Sequence, residues 1–226
     1  MDIALNIKRL RDEVPEHVKI VAISKTHPVS DIMIAYQAGH KIFGENRAQE
    51  LLSKKDLLPQ DIEWHFVGHL QTNKVKMVVP NVKLIHSVDS FKLLNAINKE
   101  AAKLNLSVEC LLQFHIAREE TKSGFTFEEA LRMLNSQEIK EMNNVIIRGV
   151  MGMATFTDDM KVVRNEFRTL RKYFNILKDR YFIDNKYFTE ISMGMSGDYR
   201  IAIEEGSTII RVGTLIFGER NYSEND

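Results

Sequence analysis

One lysine is placed where an amine could act as a nucleophile. Lys25 follows the apolar, β-branched run Lys19–Ser24 and precedes the turn signal Thr26–Pro28. Strand alternation puts Val21, Ile23 and Lys25 on one face. Partial desolvation at the end of an apolar strand favours the neutral form of an amine, which is the form that attacks a carbonyl. The alternative interpretation is a lysine whose ammonium group reaches solvent beyond the strand.

Two glycine-containing turns near the carboxyl end of the chain could bind an anion. Met193–Asp198 leads from one predicted strand towards a helix predicted at Ile201–Glu205, and Arg211–Thr214 leads out of the next strand. Glycines let backbone N–H groups approach an anion closely, and the dipole at a helix start favours negative charge. Ser196 and Thr214 add hydroxyl donors. The alternative interpretation is that each glycine only ends an element.

Two more polar residues lie at or just beyond predicted strand ends. Arg211 interrupts the almost uncharged run Ser207–Phe217, and a buried guanidinium needs an acceptor. The acceptor is either a ligand or one of the nearby carboxylates Glu190, Glu204 and Glu219. Asn46 follows the second strand, where its amide either binds a ligand or caps a helix predicted at Arg47–Ser53.

The remaining nucleophile and metal-ligand patterns are weak. His65 and His69 have the spacing of a helical metal pair, but Trp64–Val67 is predicted as a strand, so no zinc site is expected. Cys110 is the single cysteine and lies in the apolar run Val108–Phe114, where we expect a buried thiol rather than a nucleophile. A single cysteine excludes an internal disulfide and is typical of the reducing cytosol, so a cytoplasmic location is expected.

Short apolar runs alternate with longer amphipathic ones along the chain. The eight predicted strands are Lys19–Ser24, Lys41–Phe43, Trp64–Val67, Val82–Ile85, Val108–Phe114, Val145–Val150, Tyr187–Ile191 and Thr208–Val212. Apolar residues spaced three or four apart predict helices over Phe91–Leu104 and Val163–Leu177. Helix starts are indicated at Ser30–Asp31, Ser90, Thr126 with Glu129, and Asp158–Asp159.

This alternation predicts parallel strands covered by helices. Eight repeats in 226 residues fit a single (β/α)8 TIM barrel with an extra N-terminal helix in residues 1–15 and a polar tail at 221–226. An open doubly wound sheet is the alternative, disfavoured because no G-x-G-x-x-G or P-loop pattern is present. In such a barrel, functional residues gather at the carboxyl ends of the strands and phosphate binds after strands seven and eight. Lys25 and both glycine turns occupy these positions.

Composition narrows the class of partner. The chain carries 31 basic and 31 acidic side chains, and this balance disfavours nucleic acid and charged membrane surfaces as partners. No apolar run approaches the roughly 18 residues of a membrane span. Sparse glycine and proline, without a linker-like stretch, predict a single domain over residues 1–226. The absence of an exposed apolar arm favours a monomer.

Six segments together resemble a known family. They are Val21–Thr26, Phe43–Arg47, His65–Lys74, Ile85–Ser90, Ser192–Ser196 and Arg211–Gly218. Their residues and order resemble the pyridoxal phosphate homeostasis protein family, also called proline synthase co-transcribed proteins. The resemblance runs from about Lys19 to Phe217 and so covers nearly the whole chain.

The resemblance implies a barrel similar to the N-terminal domain of alanine racemase, with pyridoxal 5'-phosphate held as an internal aldimine. Carried onto matching positions, it implies six cofactor-binding residues: Lys25, Asn46, Ser196, Arg211, Gly213 and Thr214. Lys25 is the implied aldimine lysine, and Arg211 is implied to face the pyridine nitrogen. Ser196, Gly213 and Thr214 are implied to hold the phosphate, with Asn46 beside the ring. His115 departs from the family pattern, where an asparagine is expected.

An arginine at the ring nitrogen predicts a carrier rather than an enzyme. Arg211 only donates hydrogen bonds, so the nitrogen stays unprotonated and the electron sink is weak. We expect no second domain to supply the tyrosine base of the racemases. Tyr199 and Tyr222 are candidate substitutes, but we expect each to be an ordinary surface or packing residue. The predicted function is vitamin B6 homeostasis, with pyridoxal-phosphate-dependent apo-enzymes and amino acids as possible partners. The alternatives are an amino-acid racemase or a related pyridoxal enzyme, and a Schiff-base aldolase that uses Lys25 without a cofactor.

Overall fold

Eight parallel strands close into a barrel in which each strand pairs with the next in chain order and the last pairs with the first. This arrangement is that of a computed structural model, which describes residues 2–119 and 123–219. It confirms the predicted (β/α)8 TIM barrel. The polar tail predicted at 221–226, with Tyr222, lies outside the described residues.

The strands occupy the eight predicted places. Their bounds are β1 Lys19–Ile23, β2 Ile42–Glu45, β3 Glu63–Phe66, β4 Leu84–Val88, β5 Val108–Phe114, β6 Val145–Gly152, β7 Glu190–Ser192 and β8 Ile209–Val212. Only β5 has the predicted bounds at both ends, since the pairing partner decides where a strand stops. The run predicted from Tyr187 becomes a strand only at Glu190.

Helices surround the barrel and include the predicted N-terminal one. Their bounds are α1 Ile3–Glu13, α2 Val29–Gln37, α3 Ala48–Lys55, α4 Val75–Val78, α5 Phe91–Lys103, α6 Phe127–Asn135, α7 Gln137–Lys140, α8 Met160–Tyr181, α9 Tyr199–Glu204 and α10 Thr214–Phe217. Ser90 caps α5, and Thr126 with Glu129 forms a capping box on α6, as predicted. The start predicted at Ser30–Asp31 is wrong by one residue, because Pro28 occupies the N-cap and the helix begins directly after it.

Side chains alternate between the barrel interior and the helical layer. The middle of the interior is a small apolar cluster made of Val21, Ile23, Leu84, Leu111, Met151 and Ile209. Lys25 continues the inward-facing series of β1, at the carboxyl end of the barrel. The thiol of Cys110 is fully buried against the helical layer, and burial raises its pKa, which confirms the structural interpretation of this residue. Within the described ranges, no helix is both long and apolar enough to cross a bilayer.

Candidate functional site

Lys25 and Asn46 lie side by side at the carboxyl end of the barrel. Lys25 begins a turn two residues beyond the end of β1, and its side chain is half-buried. The register pairs Ile23 of β1 with Gly44 of β2, so two residues farther along Lys25 stands beside Asn46. The predicted capping role of Asn46 is wrong, because the N-cap of α3 is Arg47. Asn46 therefore continues the inward-facing positions of β2, as Lys25 continues those of β1.

The two glycine turns predicted to bind an anion are hydrogen-bonded to each other. The backbone N–H of Arg211 donates to the carbonyl oxygen of Gly194 at 2.9 Å, which joins the turn after β7 to β8. A Cβ on Gly213 would lie 3.2 Å from the carbonyl oxygen of Ile23, so the second turn lies directly against β1. Ser196 and Thr214, at the tops of β7 and β8, therefore share the end of the barrel with Lys25.

Gly194 shapes the first of these turns. Its φ of +96° lies in the left-handed region that favours glycine, and a Cβ there would meet the Cβ of Ala202 at 2.6 Å. The turn is closed by Asp198, whose carboxylate accepts a hydrogen bond from the backbone N–H of Met195 at 2.5 Å. Helix α9 follows at once, so backbone N–H groups at its start face the same end of the barrel as Ser196.

Arg211 is a buried cation in the barrel interior, only 4% exposed. Its guanidinium donates to the hydroxyl oxygen of Ser192 at 2.6 Å and to the carbonyl oxygen of Gly152 at 3.1 Å. Burial lowers its pKa to about 10. Both of these acceptors are neutral, and the Asp198 carboxylate offsets the desolvation of the positive charge only in part.

The alternative in which Arg211 pairs with a nearby carboxylate is wrong. Glu190 pairs with Lys19 at 2.7 Å, at the opposite end of the interior. Glu204 pairs with Arg164 on the outer surface, and Glu219 is exposed. The guanidinium is therefore available to an acceptor inside the barrel.

A buried ion-pair network that the sequence analysis missed lies behind the Lys25 turn. The Glu45 carboxylate is fully buried and accepts hydrogen bonds from the Ser24 hydroxyl at 2.7 Å and from Lys54 at 2.8 Å. Lys54 also donates to Glu50 at 2.6 Å, and Glu50 accepts the backbone N–H of Thr26. The i, i+4 spacing of Glu50 and Lys54 was the available sequence signal.

This network holds an unusual backbone conformation next to Lys25. Thr26 has a φ of +66°, which is rare for a β-branched residue. Burial raises the pKa of Glu45, and its second oxygen, Oε2, has no hydrogen-bond partner among the residues that the structure describes. The turn that carries Lys25 is therefore fixed by charged groups on α3 rather than by apolar packing alone.

Three other candidate residues do not take the roles considered for them. His69 is at the surface against Asp89, whereas His65 points into the barrel, so the two do not form a pair. The Tyr199 hydroxyl donates to Glu13 of α1 at 2.6 Å, on the outside of the barrel. This contact agrees with the expectation that Tyr199 is a packing residue rather than a substitute for the racemase base. No group of three or more metal-ligating side chains occurs among the described residues.

The chain is similar over nearly its whole length to proteins of one family. The family model described as "Alanine racemase, N-terminal domain" matches residues 2–221. A protein of Aquifex aeolicus named "Pyridoxal phosphate homeostasis protein" is 42% identical over 205 residues, covering 90% of this chain and 88% of that protein. A protein of the same name from Helicobacter pylori is 36% identical and covers 94% of each chain. The chain belongs to the pyridoxal phosphate homeostasis protein family.

Solved structures agree with this family membership. PipY of Synechococcus elongatus, solved with pyridoxal phosphate bound, has a TM-score of 0.87 and 35% identity, covering 96% of this chain and 100% of PipY. An alanine racemase of Clostridium difficile has a TM-score of 0.77 at 14% identity. The match covers 100% of this chain and 61% of the racemase. The racemase shares the fold, which confirms the predicted relation to its barrel domain.

Proposed function

We propose that this protein binds pyridoxal 5'-phosphate at the carboxyl end of the barrel, covalently through Lys25, and serves vitamin B6 homeostasis in the cytoplasm. The observation that carries the proposal is the junction of β7, β8 and β1. There, two hydrogen-bonded turns that carry Ser196, Gly213 and Thr214 lie against β1, the strand that leads into the Lys25 turn. An aldehyde with a phosphate needs an amine and an anion site within one molecule's length of each other.

Each proposed contact matches the chemistry of one part of the cofactor. The Lys25 amine would hold the cofactor through its aldehyde carbon, with the loss of one water. Backbone N–H groups of the two turns, with the Ser196 and Thr214 hydroxyls, donate to the phosphate. Asn46 stands beside Lys25 and contacts the ring. The relatives named for pyridoxal phosphate, and PipY solved with it, support this choice of ligand.

We propose that Arg211 faces the ring nitrogen, as the family resemblance implies. Its guanidinium lies inside the barrel and donates to two neutral acceptors, the Ser192 hydroxyl and the Gly152 carbonyl oxygen. A guanidinium can only donate, so a ring nitrogen that faces it must act as an acceptor and stay unprotonated. Bound pyridoxal phosphate supplies an electron sink for amino-acid chemistry, and Arg211 keeps that sink weak.

The site therefore suits holding and delivery of the cofactor rather than rapid turnover. Tyr199 is bonded to Glu13 outside the barrel and does not serve as a base at Lys25. We propose that the protein acts as a monomer, limits free pyridoxal phosphate and passes it to apo-enzymes that depend on it. Amino acids can displace the Lys25 amine from the aldehyde without needing a base at their Cα.

Deuterium exchange at Cα separates the carrier from a racemase. The cofactor-loaded protein is incubated in heavy water with L-alanine and with D-alanine, and the Lys25→Ala variant with equal cofactor serves as control. We expect exchange no faster than in the control, together with transfer of the cofactor to an added apo-enzyme. Exchange at about 1 per second or faster, a rate typical of enzymes, contradicts the carrier proposal.

A further inference from the structure

A continuous chain of hydrogen bonds runs through the barrel interior from Arg211 to the opposite end. Arg211 donates to Ser192 Oγ at 2.6 Å, and Ser192 Oγ lies 2.9 Å from His86 Nδ1. His86 Nε2 lies 2.9 Å from His65 Nδ1, and His65 Nε2 lies 2.9 Å from Glu63 Oε1. The four inner members are almost inaccessible, with Ser192 and His86 at 0%, His65 at 1% and Arg211 at 4% exposure.

The hydrogen-bond chain ends at Glu63, which lies in a charged opening at the amino ends of the strands. A cavity of about 350 Å³ is lined there by Glu63 and His65. The charged groups that face these hydrogen bonds are Lys19 of β1, Glu63 of β3, Lys83 before β4, Glu109 of β5, Arg148 of β6, Glu190 of β7 and Arg211 of β8, together with Asp198 after β7, which acts electrostatically on Arg211. Glu63 is the carboxylate among them that is bonded to a histidine of the chain.

When both imidazole rings are neutral, the Glu63 end sets the direction of every hydrogen bond between Glu63 and Ser192. The His65 contact holds the pKa of Glu63 below its usual range, so Glu63 is an anion that only accepts. His65 Nε2 must then carry the proton, and in a neutral ring Nδ1 accepts. His86 Nε2 therefore donates to His65, which leaves His86 Nδ1 as an acceptor for the Ser192 hydroxyl. Desolvation keeps the pKa of His86 well below its usual value, so this ring stays neutral.

We infer that this chain is a positioning relay in which Glu63, His65 and His86 fix the Ser192 hydroxyl so that its lone pair faces Arg211. Because the hydroxyl proton is committed to His86, the Ser192 hydroxyl cannot rotate, and a lone pair of its oxygen stays directed at the guanidinium. The relay thereby holds Arg211 at the depth and tilt at which its free N–H groups reach a ligand above it. The consequence for ligand binding rests on the proposed function, whereas the proton positions do not.

The first test measures proton positions in the cofactor-free protein. Nitrogen-15 NMR of imidazole-labelled protein distinguishes protonated from unprotonated ring nitrogens. We expect both His65 and His86 as the Nε2–H tautomer in the wild type. Glu63→Gln preserves the shape of the side chain but removes the anion that sets the direction of the hydrogen bonds. We therefore expect the Nδ1–H tautomer to appear at both rings. A wild-type His65 or His86 with a proton on Nδ1 overturns the relay.

Glu109→Gln is the matched control for charge. Glu109 lines the same cavity and lies 3.2 Å from Lys83 and 3.7 Å from Arg148, but has no bond to the chain. We expect this variant to leave both tautomers unchanged. If both variants change the tautomers equally, the electrostatic field of the charged groups in the cavity sets them. That result overturns the proposal.

The second test asks whether Glu63, at the far end of the hydrogen-bond chain, affects cofactor binding. Pyridoxal phosphate is titrated, and we expect Glu63→Gln to weaken its affinity about 2- to 10-fold, the range for one neutral hydrogen bond. In a Ser192→Ala background, where the link to Arg211 is cut, Glu63→Gln is expected to have no further effect. An undiminished effect in that background contradicts the relay. Failure of the proposed function is distinguishable, since the wild type would then not bind pyridoxal phosphate at all.

Discussion

Replacing Lys54 with methionine tests the buried network behind the Lys25 turn. Lys54 makes hydrogen bonds of 2.8 Å to the Ser24 carbonyl oxygen, 2.8 Å to Glu45 and 2.6 Å to Glu50. Methionine keeps most of the alkyl volume but removes the charge, which leaves the fully buried Glu45 carboxylate without its cation. Breaking a buried pair in this way costs about 3–5 kcal/mol. We expect a loss of this size in the free energy of unfolding at pH 7.

The pH dependence of that loss identifies its cause. Burial already raises the pKa of Glu45 above its ordinary value of 4.5, and removal of Lys54 raises it further. A carboxyl whose pKa is raised by folding destabilises the protein as pH rises through the folded pKa, and this penalty disappears below the unfolded pKa. The loss caused by Lys54→Met should therefore shrink as pH is lowered from 7 towards 5.

Urea unfolding of the two proteins at several pH values measures both quantities. Lys41→Met is the matched control, because Lys41 pairs with Asp61 at the surface, where the two side chains are 56% and 51% exposed. We expect little change in stability from it at any pH. A Lys54→Met protein within 1 kcal/mol of the wild type at pH 7, or a loss independent of pH, refutes the account of this network.

Three further predictions concern other parts of the barrel. Gly194→Ala should destabilise the protein by about 2–4 kcal/mol through its left-handed backbone and a 2.6 Å clash, whereas Gly197→Ala, which has open space, should not, as urea unfolding will show. Burial lowers the pKa of His40 to about 4, so stability should fall as pH drops from 6.5 towards 4, and His40→Gln should lose this dependence. Ser196→Ala and Thr214→Val should each weaken pyridoxal phosphate binding by about 1–3 kcal/mol in titrations, with little effect on pyridoxal, which lacks the phosphate.

The barrel could be predicted because its signals are local. β-branched runs, capping residues such as Ser90 and Thr126, and helical spacing each act within a few residues of the chain. Their regular alternation leaves few ways to bury the strands. Residues at strand ends were predictable for a similar reason, since a lysine or a glycine turn that interrupts an apolar run is visible in the sequence, as at Lys25 and Gly213.

The interior networks depend on which residues of separate strands meet, and no local pattern contains that information. His65 was considered only with His69, the partner for a helix, although β3 is a strand in which every second residue shares a face. That period pairs His65 with Glu63, whose contact anchors the chain to Arg211. The partner His86 lies on the next strand, and its register is set by the closed sheet rather than by its neighbours in sequence.

The proposed covalent attachment of pyridoxal phosphate to Lys25 is tested most directly by mass spectrometry. The protein is loaded with pyridoxal phosphate, reduced with borohydride and digested, and the modified residue is located. One label per chain, on the peptide that contains Lys25 and absent from the Lys25→Ala variant, is the expected result. Stoichiometric labelling of another lysine, or of the Lys25→Ala protein, contradicts the central claim.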